Sequence, residues 1–514
     1  MTRADTAVQM QITKSVTITV DDKINCTGRN IDNCYGPMSP TTPKILRYQE
    51  LAESIADLIH HGTYLPGQRI PSVRLMSRQQ DLSISTVLQA YSVLERQGLV
   101  EARPQSGYYV RARIEERLPE PETSSPHQDP SNVSLHDLVM MLMRDSANPN
   151  LVQLGAALPH LDQRLIQTIN HMTAKIIRQQ GAHVHQYHFP PGLDALRVQI
   201  ARRMVKAGCH LSPGDILITS GGTEAIDFSL HSVCRPGEIV AIESPSYFGT
   251  LQTLQAYGLR ALEIPTHPRD GISLEALDFA IDHNPIRAVF VISNFNNPLG
   301  SKIPDERKKA LVDLLARHDI PLIENDVSGE LYFGEKRPLV CKAFDTKGLV
   351  ILLSSFSKDI SPGLRLGWVA AGRYSAEVER LKFALSPSCP SLPQMVVAEF
   401  LDGGGYDQHL RRLRREYARN VELMSDAVMR YFPEGTRLTR PSGGFILWVQ
   451  LPEKVDSLEL YKIALQAGIT LAPGHVFSAT DQFSNFIRLN AAAFDYSTER
   501  ALERLGTLIK DFVK

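Results

Sequence analysis

The apolar positions of the chain change their spacing twice. From about residue 45 the spacing is helical. Tyr48, Leu51, Ile55, Leu58 and Ile59 recur at intervals of three and four and form one stripe. Gly62 stops that helix and Pro66-Gly67 turns the chain. Ser72, after Pro71, supplies an N-cap for a second helix. A third begins near Ser83, with Val87, Ala90, Tyr91 and Leu94 on its inner face, and ends at Gly98. Two extended runs, Leu99 to Arg103 and Tyr108 to Arg111, flank Pro104-Gln105-Ser106-Gly107, which has the chemistry of a hairpin turn. Three helices and a hairpin predict a winged helix-turn-helix over 44–113.

Periodicity vanishes in 114–134. This stretch is rich in Pro, Ser, Glu and Asp and reads as a semi-extended linker with nothing to bury. From 135 to 514, helical patterns alternate with short apolar runs: Asp215 to Thr219, Ile239 to Ile242, Ala288 to Ile292, Leu322 to Ile323, Val350 to Leu353 and Trp368 to Ala370. That alternation predicts an α/β domain with a mainly parallel sheet. Residues 1–43 are polar and β-branched with little periodicity and read as a mobile tail; Met38 stands as an alternative start.

At 514 residues the chain has room for two or three domains and a sizeable core. Its 55 basic and 56 acidic residues exclude a uniformly basic protein, so a nucleic-acid site must be a local patch. Cys26, Cys34, Cys209, Cys234, Cys341 and Cys389 lack paired short spacings and fit a reducing cytoplasm. No apolar stretch approaches the roughly 18–20 residues of a membrane helix, and the N-terminus has no signal-peptide core. His183, His185 and His188 do not have zinc spacing, and no metal is expected.

The reactive residues follow the apolar runs, where open α/β sheets bind ligands. Lys358 closes Ser354-Ser355-Phe356-Ser357-Lys358 after a buried strand, and Arg365 follows seven residues later. A lysine there with an arginine for a phosphate suggests an imine with pyridoxal 5'-phosphate (PLP). Gly221-Gly222-Thr223 opens a helix whose free N–H groups suit an anion. Tyr247 can stack on a flat ring. Asn297, before Pro298, can donate to a phenolate oxygen. Asp326, at a strand end, can pair a protonated pyridine nitrogen.

In order and spacing, Asn297-Pro298, Asp326, Ser355-x-x-Lys358 and Arg365 resemble the fold-type I PLP-dependent enzymes, specifically class I aminotransferases, from about residue 150 onward. The resemblance implies a Schiff base on Lys358, Asp326 on the ring nitrogen, Asn297 on the ring hydroxyl and Tyr247 stacked on the ring. It gives the phosphate to Gly222, Thr223, Ser355 and Arg365. Tyr187 matches a tyrosine that reaches the neighbouring subunit's phosphate, and Arg488 one that clamps a substrate α-carboxylate. Relatives place a tyrosine shortly after the aspartate. Here Ser328 faces the site, two residues along the same strand face.

Residues 45–113 resemble the GntR-type winged helix-turn-helix, through Ile70-Pro71-Ser72-Val73-Arg74, Ser83-Ile84-Ser85-Thr86-Val87 and Ser106-Gly107-Tyr108-Tyr109-Val110. Between 44 and 113 lie nine basic residues (Lys44, Arg47, Arg69, Arg74, Arg78, Arg96, Arg103, Arg111 and Arg113) against six acidic. Arg74 and Arg103 are expected on phosphates, with Ser106 and Gly107 in the wing tip. Ser83, Ser85, Thr86 and Gln89 are expected at the major groove. Ile84 stands where many relatives carry a guanine-reading arginine.

The two resemblances together are those of MocR-subfamily regulators. They imply a cytoplasmic homodimer that binds a double-stranded operator and senses an amino acid or amine by aldimine exchange at Lys358. Two alternatives stay open: a working class I aminotransferase with an appended reader, or a scaffold that no longer holds PLP.

Overall fold

The computed structural model describes residues 47–60, 63–64, 67–96, 99–103, 106–110, 118–134 and 136–513. The expected tail 1–43, Lys44, Gly62, Pro66, Gly98, Pro104, Gln105, Arg111, Arg113, the first linker residues 114–117 and residue 135 lie outside the described residues. The chain divides into two compact units, Met1–Arg113 and Ile114–Lys514.

In the first unit, α1 (Arg47–His60), α2 (Val73–Gln79) and α3 (Ile84–Arg96) precede the hairpin β1 (Val100–Arg103) and β2 (Gly107–Val110). The stripe of α1 buries Leu51, Ala52 and Ile55 against Val87, Ala90, Tyr91 and Leu94 of α3. Leu58, expected in that stripe, is 37% exposed. Ser72 caps α2 by accepting from Leu75 N, as expected. The hairpin pairs Val100 with Val110 and Arg103 with Gly107. Residues 67–70 add a third run beside β2, with Gly67 N and Ile70 N donating to Val110 O and Tyr108 O.

The second unit is built on a nine-stranded sheet. Its strands are β3 (Ser131–Asn132), β5 (Leu217–Thr219), β6 (Ile239–Ser244), β7 (Arg260–His267), β8 (Gly271–Ile272), β9 (Ile286–Val291), β10 (Leu322–Asn325), β11 (Val350–Ser355) and β12 (Gly367–Ala370); β4 (Val152–Gln153) lies outside it. The order is β3-β7-β6-β9-β10-β11-β12-β5, with β8 on β7. Strands β7, β6, β9, β10 and β11 are parallel, while β12 runs against both its neighbours. The sheet is therefore mixed and mostly parallel, as the alternation of patterns predicted.

Side chains alternate across the sheet, which splits the core in two. One side carries Val240, Ile242, Phe290, Ile323, Ile351 and Leu353, packed on Ala225, Ile226 and Phe228 of the helix Gly222–Val233. The other carries Leu322, Val350, Val289 and Val291 under the helices Leu274–His283 and Asp305–His318. Leu352, Trp368 and Ile218 lie on that second side too, in a neighbouring cluster. A smaller antiparallel sheet from the C-terminal part, with Ile446–Gln450 paired to Phe486–Asn490, brings Arg488 to the site.

The stretch 118–134 differs from the linker that its composition predicts. Pro121 and Val133 are buried, and β3 pairs antiparallel with β7. Leu438 N donates to Pro119 O at 2.9 Å, and Arg440 Nη2 to Leu118 O at 2.6 Å. Ser124 Oγ donates to Ser244 O at 2.6 Å and accepts from Thr266 N at 2.9 Å. A proline-rich segment with few apolar side chains is fastened here through backbone groups and hydroxyls, so it needs no apolar period to dock.

Candidate ligand pocket and nucleic-acid interface

The pocket lies beyond the carboxyl ends of the parallel strands. Helix Gly222–Val233 begins after Gly221, whose φ of +92° a side chain rarely adopts. A Cβ on Gly221 would meet Arg365 Nη2 at 2.5 Å, and one on Gly222 would lie 3.5 Å from Ser355 Oγ. Gly221 thus lets Arg365 close on the helix start, while Gly222 faces Ser355 at ordinary contact distance. Arg365 itself takes a left-handed backbone, φ +49°, and its Nη2 donates to Ser220 O at 3.0 Å. Thr223 is exposed in the first helical turn.

Lys358 follows β11. Its Nζ donates to Ala157 O at 2.7 Å. Burial of the amine, with Arg488 and then Arg365 nearby, lowers its pKa to about 8. Arg488 is 1% exposed. Its Nη1 donates to Asn297 Oδ1 at 2.8 Å and its Nη2 to Gly155 O at 2.6 Å, while its Nε is buried without a partner. The guanidinium lies 5.0 Å from the Phe477 ring centroid and 5.6 Å from that of Phe248. Burial pulls its pKa down to about 10. Among the described residues no carboxylate forms a salt bridge with Arg488, Lys358 or Arg365.

Tyr247 lies with these cations. Burial raises its pKa, and Arg488 and Arg365 oppose the rise. Gly249 leaves room for its ring, since a Cβ there would lie 2.4 Å from Cε1. Lys358, Arg488, Asn297, Tyr247, Arg365, Ser355 and Gly222 thus lie in one neighbourhood with three cations among them. Tyr187 is not brought to them; it is 75% exposed and stacks on Phe189.

Asp326 does not join them, and the expectation for it is corrected here. It continues the parallel ladder, donating its backbone N–H to Leu353 O, so its side chain falls on the side opposite the helix Gly222–Val233. There Oδ1 accepts from Asn294 Nδ2 at 2.8 Å and Oδ2 from Arg337 Nη2 at 2.5 Å. Arg337 also pairs with Glu330, and Lys308 Nζ donates to Asn294 Oδ1. Glu324, two residues earlier, shares that side and accepts from Ser293 Oγ and from the N–H groups of Cys341 and Lys342. The polar side chain of β10 on the side of helix Gly222–Val233 is Asn325. Strand alternation, by which Ser328 was set on the face of Asp326, stops before it, because residues 327–330 are a turn. Strand parity was the missing signal. Asn325 and Asp326 are adjacent polar residues, and only the register to β11 separates them.

In the first unit, Ser83 caps α3 by accepting from Thr86 N at 3.1 Å; its Oγ also meets Ser85 Oγ at 2.8 Å and Thr86 Oγ1 at 2.7 Å. Ser83, Ser85 and Gln89 are exposed, as are Ile84 (51%) and Leu88 (45%), one turn apart. Arg74 is exposed and has no ion pair among the described residues. Arg103 instead pairs with Glu101 at 2.7 Å and lies 4.4 Å over the Tyr109 ring. At the wing tip Ser106 Oγ bonds Tyr109 OH at 2.6 Å, and a Cβ on Gly107 (φ +110°) would lie 3.0 Å from Arg69 Nε.

Known proteins divide the chain at the same place. Residues 47–110 match the bacterial regulatory proteins of the gntR family, and residues 149–505 match aminotransferase class I and II. The uncharacterized HTH-type transcriptional regulator YjiR of Escherichia coli (strain K12) is 39% identical over 90% of this chain and 98% of its own. YdcR of the same organism, described in the same words, is 38% identical over 90% of this chain and 99% of its own. Among solved structures, the α-aminoadipate aminotransferase LysN of Thermus thermophilus, complexed with N-(5'-phosphopyridoxyl)-L-leucine, superimposes with a TM-score of 0.67 at 30% identity, covering 73% of this chain and 95% of that one. Among the described residues no helix is long and apolar enough to cross a membrane. The chain belongs to the aminotransferase class I and II family and carries a GntR-family DNA-binding domain ahead of it, the arrangement of MocR-type transcriptional regulators.

Proposed function

We propose that the second unit holds PLP and captures a carboxylated amino acid, and that capture alters how the first unit grips an operator. The observation that carries this reading is a set of three convergent cations, Lys358, Arg488 and Arg365, without a carboxylate among them. Two anions would satisfy them. The cradle of Gly222, Thr223, Ser355 and Arg365 fits a phosphate on a helix start. Arg488, with a buried and unpartnered Nε, fits a carboxylate. Tyr247 and Asn297 would flank and orient the ring.

When bound, the coenzyme supplies an aldehyde carbon that joins reversibly to an amine, first that of Lys358 and then that of the ligand. The remaining work belongs to side chains of this chain. Arg488 orients the ligand, and Phe477 and Phe248 keep water from its guanidinium. Lys358, its pKa lowered to about 8, becomes a free base within reach of neutral pH and can accept a proton once released.

The exposed Tyr187, Phe189 and Phe383 form an aromatic patch that suits a second copy of this chain, with Tyr187 completing the partner's phosphate site. In the first unit, Arg74 and Arg103 would position the reader on phosphates. Ser83, Ser85, Thr86 and Gln89 would meet base edges, and Ile84 and Leu88 thymine methyl groups. The ligand acts by preferring one of two arrangements of the dimer.

The test is a titration of the full chain against operator DNA, with and without PLP and with a panel of amino acids, while visible absorbance is recorded. One ligand should change absorbance and DNA affinity together. A protein that never takes up the coenzyme would sink the reading. The likeness to LysN favours a second reading, a working aminotransferase; steady formation of a 2-oxo acid at about 1–1000 per second would support it.

A further inference from the structure

Asn325 occupies the place at which Asp326 was expected, and its chemistry differs. The register of β10 on β11 sets Asn325 against Leu353 and Glu324 against Leu352. Leu353 packs on the side of helix Gly222–Val233, and Ser355, two residues further along β11, meets Gly222 from that same side. Asn325 therefore opens toward the cradle. It is 4% exposed. Its Oδ1 accepts from Val327 N at 3.1 Å, which settles the orientation of the amide, because a backbone N–H only donates. What remains for a ligand is the Nδ2 donor, for which no acceptor stands among the described residues. The two carboxylates beside it, Glu324 and Asp326, are turned away and held by their own donors.

We propose that Asn325, not Asp326, meets the ring nitrogen of the coenzyme, and that it donates to an uncharged nitrogen. This rests on the reading that the pocket holds PLP, and it adds a consequence. A carboxylate stabilises a protonated ring nitrogen, and the charged ring then draws electrons from a bound amino acid. An amide donor stabilises the lone pair instead. The ring is a weaker electron sink, so loss of the α-proton from a captured amino acid is slowed. The pocket retains its ligand longer before converting it, which suits a sensor.

The experiment uses the full chain loaded with coenzyme labelled with nitrogen-15 in the ring. Borohydride reduction and mass analysis first establish attachment at Lys358; without that adduct the PLP reading itself falls. With the adduct present, solid-state nitrogen-15 NMR of the unreduced protein should place the ring nitrogen at the unprotonated position from pH 6 to 8. Asn325→Asp should move the signal upfield to the protonated position, and Asp326→Asn should leave it where it is. A protonated nitrogen in the wild-type protein overturns the inference while leaving PLP binding intact. So does a signal that follows Asp326→Asn and ignores Asn325→Asp. The wild-type spectrum decides the matter even if a variant does not fold.

Discussion

The two sides of β10 handle polar groups in opposite ways. On one side the carboxyl groups of Glu324 and Asp326 are buried and engaged by Arg337, Asn294, Ser293 and backbone N–H groups. On the other, around Asn325, Lys358 and Arg488, donors are left over and no acid balances them. Completed networks hold a fold together, whereas convergent donors without an acid leave room for an anionic ligand. The difference explains why the most conspicuous carboxylate near the site is not in it.

The contrast can be broken most severely at the ligand side. Lys358→Ala should abolish the borohydride-trapped adduct altogether while leaving the melting temperature unchanged or raised, since the variant no longer buries an amine. In the wild type, coenzyme uptake should climb about tenfold per pH unit up to about pH 8 and then level off, because the amine is protonated below its lowered pKa and free above it. A rise continuing toward 10.5 would show that burial does not act on Lys358 as described.

At the structural side the loss should appear as stability. Arg337→Met leaves Asp326 and Glu330 without their shared cation and should cost roughly 3–5 kcal/mol in denaturant unfolding. Adding Asp326→Asn should recover part of that loss. If the two substitutions simply add, the pair is not coupled.

The same contrast runs at smaller scale through the reader. Arg74 has no intramolecular partner among the described residues, whereas Arg103 is held by Glu101 and Tyr109. Arg74→Ala should weaken operator binding uniformly across sequences and lower the salt slope by about one. Arg103→Ala should do less, since its charge is already shared. Equal effects would show that DNA pulls Arg103 away from Glu101.

The smallest effect is expected at Ser328. Placing a phenol in the turn 327–330 by Ser328→Tyr should shift the pH midpoint of the coenzyme's visible band only slightly, because that turn does not continue the strand face. A large shift would bring the position back into the pocket.

Much of this organisation is legible in the sequence because it depends on local chemistry. Ser72 and Ser83 as caps and the inner face Val87, Ala90, Tyr91 and Leu94 follow from short-range rules, and Asn297, Lys358 and Arg365 stand out by an order that resembles a known family. What escapes is decided by partners far along the chain. Asn325 and Asp326 can be told apart only through Leu353. The strand Arg260–His267 carries Pro265 and few cues of its own, yet it pairs along its length with Ile239–Ser244. Residues 118–134 look solvated until the backbone groups that receive them are known.

That docked stretch changes where the chain between the two units begins. Its anchor is residue 118 rather than 135, and one of its bolts, Ser124, is fixed to Ser244, three residues before Tyr247. On the function proposed above, a ligand that moves the tyrosine would act close to this fastening.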